Sequence, residues 1–272
     1  MRIPRNPDTP VQPAPRPSEA GPDNGTIDHF GNVPWSGEDP AAALAEFLPL
    51  FERRPIRDNQ GGMRSVGLFN VWFLLKHLKP ASVVESGIWK GQSTWLIEQT
   101  VPAADILSID INLPIRQYIS PKARYSGMDF LQLDFGKLGW RSEGGLAFFD
   151  DHQDVYPRLL KCQSLGIKHI ILDDNYPEFA GARHVSAAAI LNDRNGPGEP
   201  RYPAERRYLM ENLEAYHVCR PIFDYREPLT MEKSFLTGPS LLGEFDPVRH
   251  APFEAYHRDM PEYRWTTYLR LK

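Results

Sequence analysis

Five short apolar runs that each end in a carboxylate restrict the fold of this sequence more than any other feature. The terminal acids are Glu85, Asp110, Asp134, the pair Asp150/Asp151 and the pair Asp173/Asp174. The runs alternate with stretches of helical spacing, which predicts βαβ crossovers and a parallel sheet. Because the runs are apolar throughout, both faces of the sheet should be covered. We therefore expect an α/β fold: a doubly wound, mostly parallel sheet with helices on both faces.

The position of these acids also predicts where a ligand binds. In a doubly wound sheet, ligands bind outside the carboxyl ends of the strands. Five strands that each end in an acid would bring their carboxylates to one edge of the domain.

The N-terminal part of the chain has a different composition from the rest. Residues 1–40 contain nine prolines, and proline fixes φ and lacks a backbone donor. This stretch is therefore predicted to be a disordered or surface-wrapping arm, with Trp35 anchoring its end to the domain.

Two helices are predicted to form an N-terminal helical cap over residues 41–80, at Ala41–Phe51 and Ser65–Leu78. Asp39 is the candidate N-cap of the first. The α/β domain then spans residues 81–272.

The C-terminal region predicts a late strand pair. Pro203–Tyr216 has the apolar spacing of a helix, and His217–Phe223 and Trp265–Leu271 have the composition of strands. We expect these two strands to close the sheet as an antiparallel pair.

Composition excludes several classes of protein. A net charge of −4 does not suggest a nucleic-acid partner. Cys162 and Cys219 lie in no zinc-ligand pattern and fit a reducing compartment. No secretory signal is recognised at the N-terminus, and the longest apolar run, Val71–Leu75, is too short to span a bilayer. We expect a cytoplasmic protein, and the oligomeric state, including a homo-oligomer, stays open.

The first loop has the pattern Glu85-x-Gly87-x-x-x-Gly91-x-Ser93. A glycine after a strand lets the backbone approach a ligand, and the following helix offers free amides. A strand acid disfavours a nearby pyrophosphate and suits a ligand with hydroxyls and a cationic amino group. This favours S-adenosylmethionine over NAD, because a dinucleotide loop has the pattern G-x-G-x-x-G. A plain strand-to-helix turn is the alternative interpretation.

Two further acids complete the predicted cofactor site. Asp110 ends the second run and is placed to accept hydrogen bonds from ribose hydroxyls. Asp134 is expected to face the adenine amino group. A helix N-cap or a loop ion pair is the alternative interpretation for each of these acids.

The later acids predict a metal site. The pairs Asp150/Asp151 and Asp173/Asp174 would repel each other at adjacent strand ends unless a positive charge lay between them. Mg²⁺ or another divalent cation with oxygen ligands would remove this repulsion. His152 would then act as general base, with Asp150 beside it as the second catalytic candidate. Helix capping by the aspartates and simple solvation of the histidine are the alternatives.

The segments Val83–Thr94, Ser108–Asp110, Phe148–His152 and Ile170–Asp174 resemble the Rossmann-like class I S-adenosylmethionine-dependent methyltransferases. Within that class, residues 60–180 are similar to the branch of the macrocin-type sugar O-methyltransferases and the cephalosporin hydroxylase/rhamnosyl O-methyltransferase group. The resemblance implies that Asp150 or Asp151, with Asp173 and Asp174, holds Mg²⁺. The chain lacks the glycine that usually separates the two acids after the fourth strand, so which of them reaches the metal stays open.

Together these features predict an S-adenosylmethionine-dependent O-methyltransferase acting on a hydroxyl of a small molecule or sugar. Two alternatives use the same fold: a dinucleotide-dependent oxidoreductase and a non-catalytic nucleoside-binding module. The poor match to G-x-G-x-x-G disfavours the first, and the retained acids disfavour the second.

Overall fold

A computed structural model describes residues 27–35, 37–176, 184–193, 200–224, 240–260 and 265–272. Within these ranges the strands form one eight-stranded sheet. In chain order they are β1 (His29–Phe30), β2 (Ser82–Ser86), β3 (Asp105–Ile109), β4 (Arg124–Ser126), β5 (Gly145–Phe149), β6 (His169–Leu172), β7 (Leu213–Val218) and β8 (Thr267–Leu271).

The sheet has the order β1-β7-β8-β6-β5-β2-β3-β4. The pairs among β2 to β6 are parallel, whereas β8 pairs antiparallel with both β6 and β7. Every residue of β2 and β5 is buried, as expected of strands covered on both faces. The predicted doubly wound α/β fold with a late antiparallel pair is confirmed.

Seven α-helices accompany the sheet in the described ranges. They are α1 (Pro40–Glu52), α2 (Ser65–Leu78), α3 (Gln92–Thr100), α4 (Val155–Ser164), α5 (Ala187–Leu191), α6 (Pro203–Asn212) and α7 (Glu254–Arg258). Short 3₁₀ turns occupy Leu113–Ile115, Phe130–Gln132 and Ala251–Phe253. None of the described helices combines the length and apolar character needed to cross a membrane.

The N-terminus of α1 has the predicted cap. The Asp39 side chain accepts a hydrogen bond from the backbone N–H of Ala41 at 2.9 Å, which satisfies one of the free amides of the first turn. The helix continues through Pro49 and ends at Glu52.

Residues just before α1 lie on the sheet. Strand β1 pairs antiparallel with β7, and the rings of Phe30 and Tyr216 stack with centroids 5.9 Å apart. Trp35 is buried, and its ring lies 5.1 Å from that of Tyr268. This segment therefore wraps the edge of the sheet, with Trp35 as its anchor. The rest of the predicted arm, residues 1–26, lies outside the described residues.

The prediction of a third strand at Phe130–Asp134 is wrong. Phe130–Gln132 forms a 3₁₀ turn because the Asp129 side chain accepts a hydrogen bond from the N–H of Leu131 at 2.8 Å and caps it. Leu131 is also 40% exposed, which does not suit a strand covered on both faces. The strand at this position of the sheet is β4, which ends at Ser126. Four strand ends, rather than five, therefore carry acids.

The predicted helix Pro203–Tyr216 is four residues too long. Helix α6 ends at Asn212, and the chain becomes extended at Leu213 to begin β7. Leu213 and Tyr216 are buried through pairing with β8 rather than on a helix face. Strand β7 accordingly starts before the predicted His217.

Candidate functional site

A cavity of about 360 Å³ opens where the direction of the sheet order reverses. The chain passes from β2 to β3 and β4 on one side and then returns to β5 and β6 on the other. The crevice beside such a switch point is where ligands bind in doubly wound folds. The lining residues are Gly61, Gly62, Ser86, Gly87, Trp89, Ile109, Asp110, Ile111, Asn112, Ile115, Asp129, Asp150, Asp151, His152 and Gln153.

Gly87 closes the floor of this cavity at the end of β2. Its φ is +96°, a conformation that L side chains rarely adopt. A Cβ at this position would lie 2.2 Å from the backbone oxygen of Asp150. Only glycine therefore lets the β2 loop run this close to the end of β5.

The other predicted residues of the first loop support it from beneath. Glu85 is fully buried, and its Oε2 accepts hydrogen bonds from Thr94 Oγ1 at 2.5 Å and Ser108 Oγ at 2.6 Å. Burial raises the pKa of Glu85 above its ordinary value, and hydrogen bonds from Ser108, Ser93 and Thr94 offset part of this rise. Glu85 and Ser93 tie β2 and β3 to α3 and do not line the cavity.

Gly91 sets the direction of α3. It has φ +96° and is the N-cap residue of this helix. A Cβ there would lie 2.4 Å from the backbone oxygen of Tyr118. Like Glu85, Gly91 shapes the loop without lining the cavity.

Asp110 lines the cavity at the end of β3 and also orders the glycine loop. Its Oδ2 accepts hydrogen bonds from the backbone N–H groups of Ile88 at 2.9 Å and Trp89 at 3.0 Å. Its Oδ1 accepts one from Asn112 N–H at 2.7 Å. The carboxylate is thus fixed at the cavity edge by three amides.

Trp89 forms one wall, which the sequence did not single out. The residue has φ +49° and is 43% exposed. Its indole Nε1 donates to the Gln60 carbonyl at 3.0 Å, and the ring lies against Gly61 and Gly62. The segment Asn59–Gly62 is thereby held at the cavity.

Asp134 does not line the cavity. Its Oδ1 accepts a hydrogen bond from Lys137 N–H at 3.1 Å, and its Oδ2 lies 3.4 Å from Lys137 Nζ. Asp129, which precedes the 3₁₀ turn, lines the cavity instead. The sequence signal for Asp129 was weak because β4, the strand before it, is short and polar.

Asp150, His152 and Asp174 form a cluster at the ends of β5 and β6. One ligand atom from each residue lies within 4.8 Å of the others. His152 Nε2 is 2.7 Å from Asp174 Oδ2. Both His152 and Asp174 have positive φ, at 54° and 53°, and such non-glycine conformations concentrate at functional sites.

The neighbouring acids of the predicted metal set have other partners. Asp151 accepts hydrogen bonds from Ser86 Oγ at 2.6 Å and from Arg158 Nε at 2.9 Å. Asp173 accepts one from Thr266 Oγ1 at 2.9 Å. Of the four predicted metal ligands, the structure brings Asp150 and Asp174 together and directs Asp151 and Asp173 elsewhere.

A buried arginine links two acids of the cavity lining. The Arg158 side chain is 4% exposed, and its Nη2 lies 2.7 Å from Asp151 Oδ2 and 3.0 Å from Asp129 Oδ2. One sequence signal for this residue exists: Arg158 interrupts the apolar face of α4 that carries Val155, Leu159 and Cys162.

His184 borders the cluster from the segment before α5. Its ring centroid lies 5.9 Å from that of His152, and its Nε2 is 3.3 Å from the backbone oxygen of Asp174. Burial is the main cause that lowers the pKa of His184, and the proximity of His152 lowers it further.

No family model and no curated protein matches this chain. Solved structures that are similar to this chain include the following three. The CmcI apo-structure is 16% identical over 40% of this chain and 51% of that chain, with a TM-score of 0.33. The plantazolicin methyltransferase BpumL with SAH and a monoazolic desmethylPZN analog is 15% identical over 85% and 94%, with a TM-score of 0.41. The O-methyltransferase from Bacillus cereus with SAH is 11% identical over 85% and 90%, with a TM-score of 0.39.

The chain spans about half of the CmcI structure, at 51% of its length. At these identities and TM-scores the matches assign no function to this chain.

Proposed function

We propose that this protein is an S-adenosylmethionine-dependent O-methyltransferase that acts on a hydroxyl of a small molecule or sugar with the help of a divalent cation. One observation carries the proposal. Four aspartates and no lysine or arginine are among the described residues that line the switch-point cavity. Arg158, which does not line the cavity, offsets part of this charge through Asp129 and Asp151. The negative charge that remains favours a cationic sulfonium cofactor over the pyrophosphate of a dinucleotide.

The cofactor half of the cavity is formed by Gly87 and Asp110. Gly87 lines the cavity with backbone atoms only, at the point where the loop after β2 lies against the backbone of Asp150. A carboxylate has about four lone-pair sites, and three backbone amides occupy sites on Asp110. The remaining capacity of Asp110 suits a ribose hydroxyl at the cavity edge.

The proposed metal site consists of Asp150, which lines the cavity, and the buried Asp174 beside it. Their carboxylate oxygens lie within 4.8 Å of each other, and two carboxylates with water in the remaining positions are a usual set for Mg²⁺. The donors therefore fit a divalent cation. When bound, S-adenosylmethionine supplies the electrophilic methyl group and the cation acts as a Lewis acid on the acceptor hydroxyl.

The protein's own contribution is to position the acceptor and remove its proton. His152 lines the cavity and is half exposed, so a hydroxyl can reach its ring. The Asp174 carboxylate at 2.7 Å orients this ring and stabilises the imidazolium that forms when His152 takes the proton. Trp89 and the segment Asn59–Gly62 cover one side and reduce the access of water.

The test is methyl transfer from isotope-labelled S-adenosylmethionine to a panel of sugars and phenols, with the O-methyl product identified by mass spectrometry. Activity should fall on addition of EDTA and return with Mg²⁺ or Mn²⁺. Asp150→Asn should reduce it strongly, and His152→Ala by about 10²–10⁴-fold. Methyl transfer that is unaffected by EDTA and by Asp150→Asn would contradict the metal role. Hydride transfer with NAD and no methyl transfer would contradict the proposed class.

A further inference from the structure

The structure has a second concavity, of about 640 Å³. It is formed between the C-terminal end of α1, the residue before α2, and α7. The lining residues are Glu52, Arg53, Arg54, Arg57, Arg64, Ala255, Arg258 and Asp259. None of them lines the switch-point cavity. Five arginines therefore face two carboxylates in this cleft of a chain whose net charge is −4.

Asp259 already occupies one anionic position in this arginine cleft. Its Oδ1 accepts hydrogen bonds from Arg64 Nε at 3.1 Å and Nη2 at 2.9 Å. Its Oδ2 accepts one from the N–H of Ser65 at 3.1 Å and lies 3.8 Å from Arg54 Nη2. Arg258 is paired with Glu254 at 2.5 Å, so Asp259 and Glu254 together do not neutralise all five guanidinium groups.

Arg54 is fixed at the side of the cleft. Its side chain is 10% exposed, its guanidinium lies 3.7 Å from the centroid of the Phe51 ring, and its Nη1 donates to the Phe51 carbonyl at 3.0 Å. Burial lowers the pKa of Arg54 and Asp259 opposes this effect. The group is held in place before any ligand arrives, which reduces the entropy cost of binding.

Arg53 and Arg57 carry the positive charge that the neighbouring carboxylates do not offset. Both side chains are exposed. Arg57 donates to the backbone carbonyl of Glu52, and within the described residues neither arginine has an ion pair with a carboxylate. Their guanidinium groups therefore remain available to an incoming anion.

We propose that the arginine cleft binds a small phosphorylated molecule that carries at least two negative charges, such as a diphosphate or a phosphorylated sugar or nucleoside. The planar guanidinium matches phosphate in a bidentate manner and is favoured over lysine where such recognition matters. All five basic residues of the cleft are arginines. A concavity of about 640 Å³ has room for more than a single orthophosphate.

The test is isothermal titration of the full chain with inorganic pyrophosphate at constant ionic strength. We expect saturable binding that persists when S-adenosylhomocysteine is present, because the two sites share no residue. The double variant Arg53→Glu/Arg57→Glu should weaken binding by at least about tenfold, since each lost charge-assisted hydrogen bond is worth about that factor. Both side chains are exposed, so the variant should fold, and circular dichroism checks this.

A matched control carries the same change of charge elsewhere. Lys122 and Arg141 are exposed and line neither cavity, so Lys122→Glu/Arg141→Glu should leave pyrophosphate affinity within about twofold of the wild type. Three results would overturn the proposal: no saturable heat at millimolar pyrophosphate, retained affinity in the Arg53/Arg57 variant, or equal weakening in both double variants. Binding of an acidic peptide without binding of pyrophosphate would also overturn it and would identify a protein partner instead.

Discussion

His152 Nε2 lies 2.7 Å from Asp174 Oδ2, and both residues adopt positive φ angles of 54° and 53°. Two left-handed non-glycine residues cost about 1–3 kcal/mol each. They persist here at the ends of adjacent strands, where they turn an imidazole and a carboxylate towards each other. This contact links the proposed proton acceptor to the proposed metal ligand.

Adjacent acids on β6 should differ in function. Asp174 belongs to the cluster with Asp150 and His152, whereas Asp173 bonds to Thr266. Asp174→Asn should therefore abolish saturable Mn²⁺ binding, measured by electron paramagnetic resonance. Asp173→Asn is the matched control and should keep it. Equal Mn²⁺ affinity in the two variants would remove Asp174 from the metal site.

Arg158 should be essential for stability. Its removal leaves Asp151 and Asp129 without their buried counter-charge, and breaking such a pair costs about 3–5 kcal/mol. Arg158→Ala should lower the free energy of unfolding in urea by that amount. The exposed pair Arg124–Asp105, with side chains 41% and 44% exposed, provides the comparison: Arg124→Ala should cost about 1 kcal/mol or less. A loss for Arg158→Ala as small as that for Arg124→Ala would contradict the role of Arg158 as counter-charge.

Alanine substitutions at Gly87 and Gly37 should distinguish the cost of a steric conflict from the cost of backbone strain. Both have φ +96°, but a Cβ meets the Asp150 backbone at 2.2 Å only at Gly87, while nothing lies within 4 Å at Gly37. Gly37→Ala should cost about 1–2 kcal/mol, the penalty of a left-handed alanine. Gly87→Ala should cost clearly more and should also weaken S-adenosylhomocysteine binding. Equal losses of thermal stability would show that the loop moves freely away from β5.

Stability should fall in mild acid because of His217. Burial lowers its pKa from 6.5 to about 4, with nearby His29 and Arg220 contributing. The unfolded chain therefore binds a proton at a higher pH than the folded protein does. The free energy of unfolding is therefore unaffected by His217 above pH 6.5. It falls by up to roughly 3 kcal/mol as the pH decreases from 6.5 towards 4, because only the unfolded chain is protonated in this range. Urea titrations over this range should show the decline, and His217→Gln should flatten it. An unchanged slope in the variant would assign the decline to other groups.

The strands that were predicted correctly are those buried on both faces. β2, β3, β5 and β6 each contain at least two consecutive apolar residues, such as Val83 and Val84 in β2, and burial on both faces favours that pattern. β4 was missed because Arg124, Tyr125 and Ser126 are only partly buried at the sheet edge. The turn at Phe130–Gln132 was mistaken for a strand because Phe130, Leu131 and Leu133 give the segment an apolar composition, although Leu131 is exposed.

The candidate site could be predicted only in outline. Sequence spacing placed Gly87, Asp110 and the paired acids at one edge of the sheet, as the structure has them. It could not separate Asp150 from Asp151, because the choice depends on Arg158, which reaches Asp151 from the following helix. The role of Trp89 could not be predicted, since its contact with Gln60 joins segments that are distant in sequence.

The most direct test of the central claim is calorimetric titration with S-adenosylhomocysteine and, in parallel, with NAD. We predict one S-adenosylhomocysteine per chain and no binding of NAD, because NAD, unlike S-adenosylhomocysteine, would place a negatively charged pyrophosphate against a lining with four aspartates and no described lysine or arginine. Asp110→Ala should weaken S-adenosylhomocysteine binding by at least about tenfold, since it removes a charged acceptor at the cavity edge. Binding of NAD without S-adenosylhomocysteine, or full S-adenosylhomocysteine affinity in Asp110→Ala, would contradict the assignment of this cavity as the cofactor site.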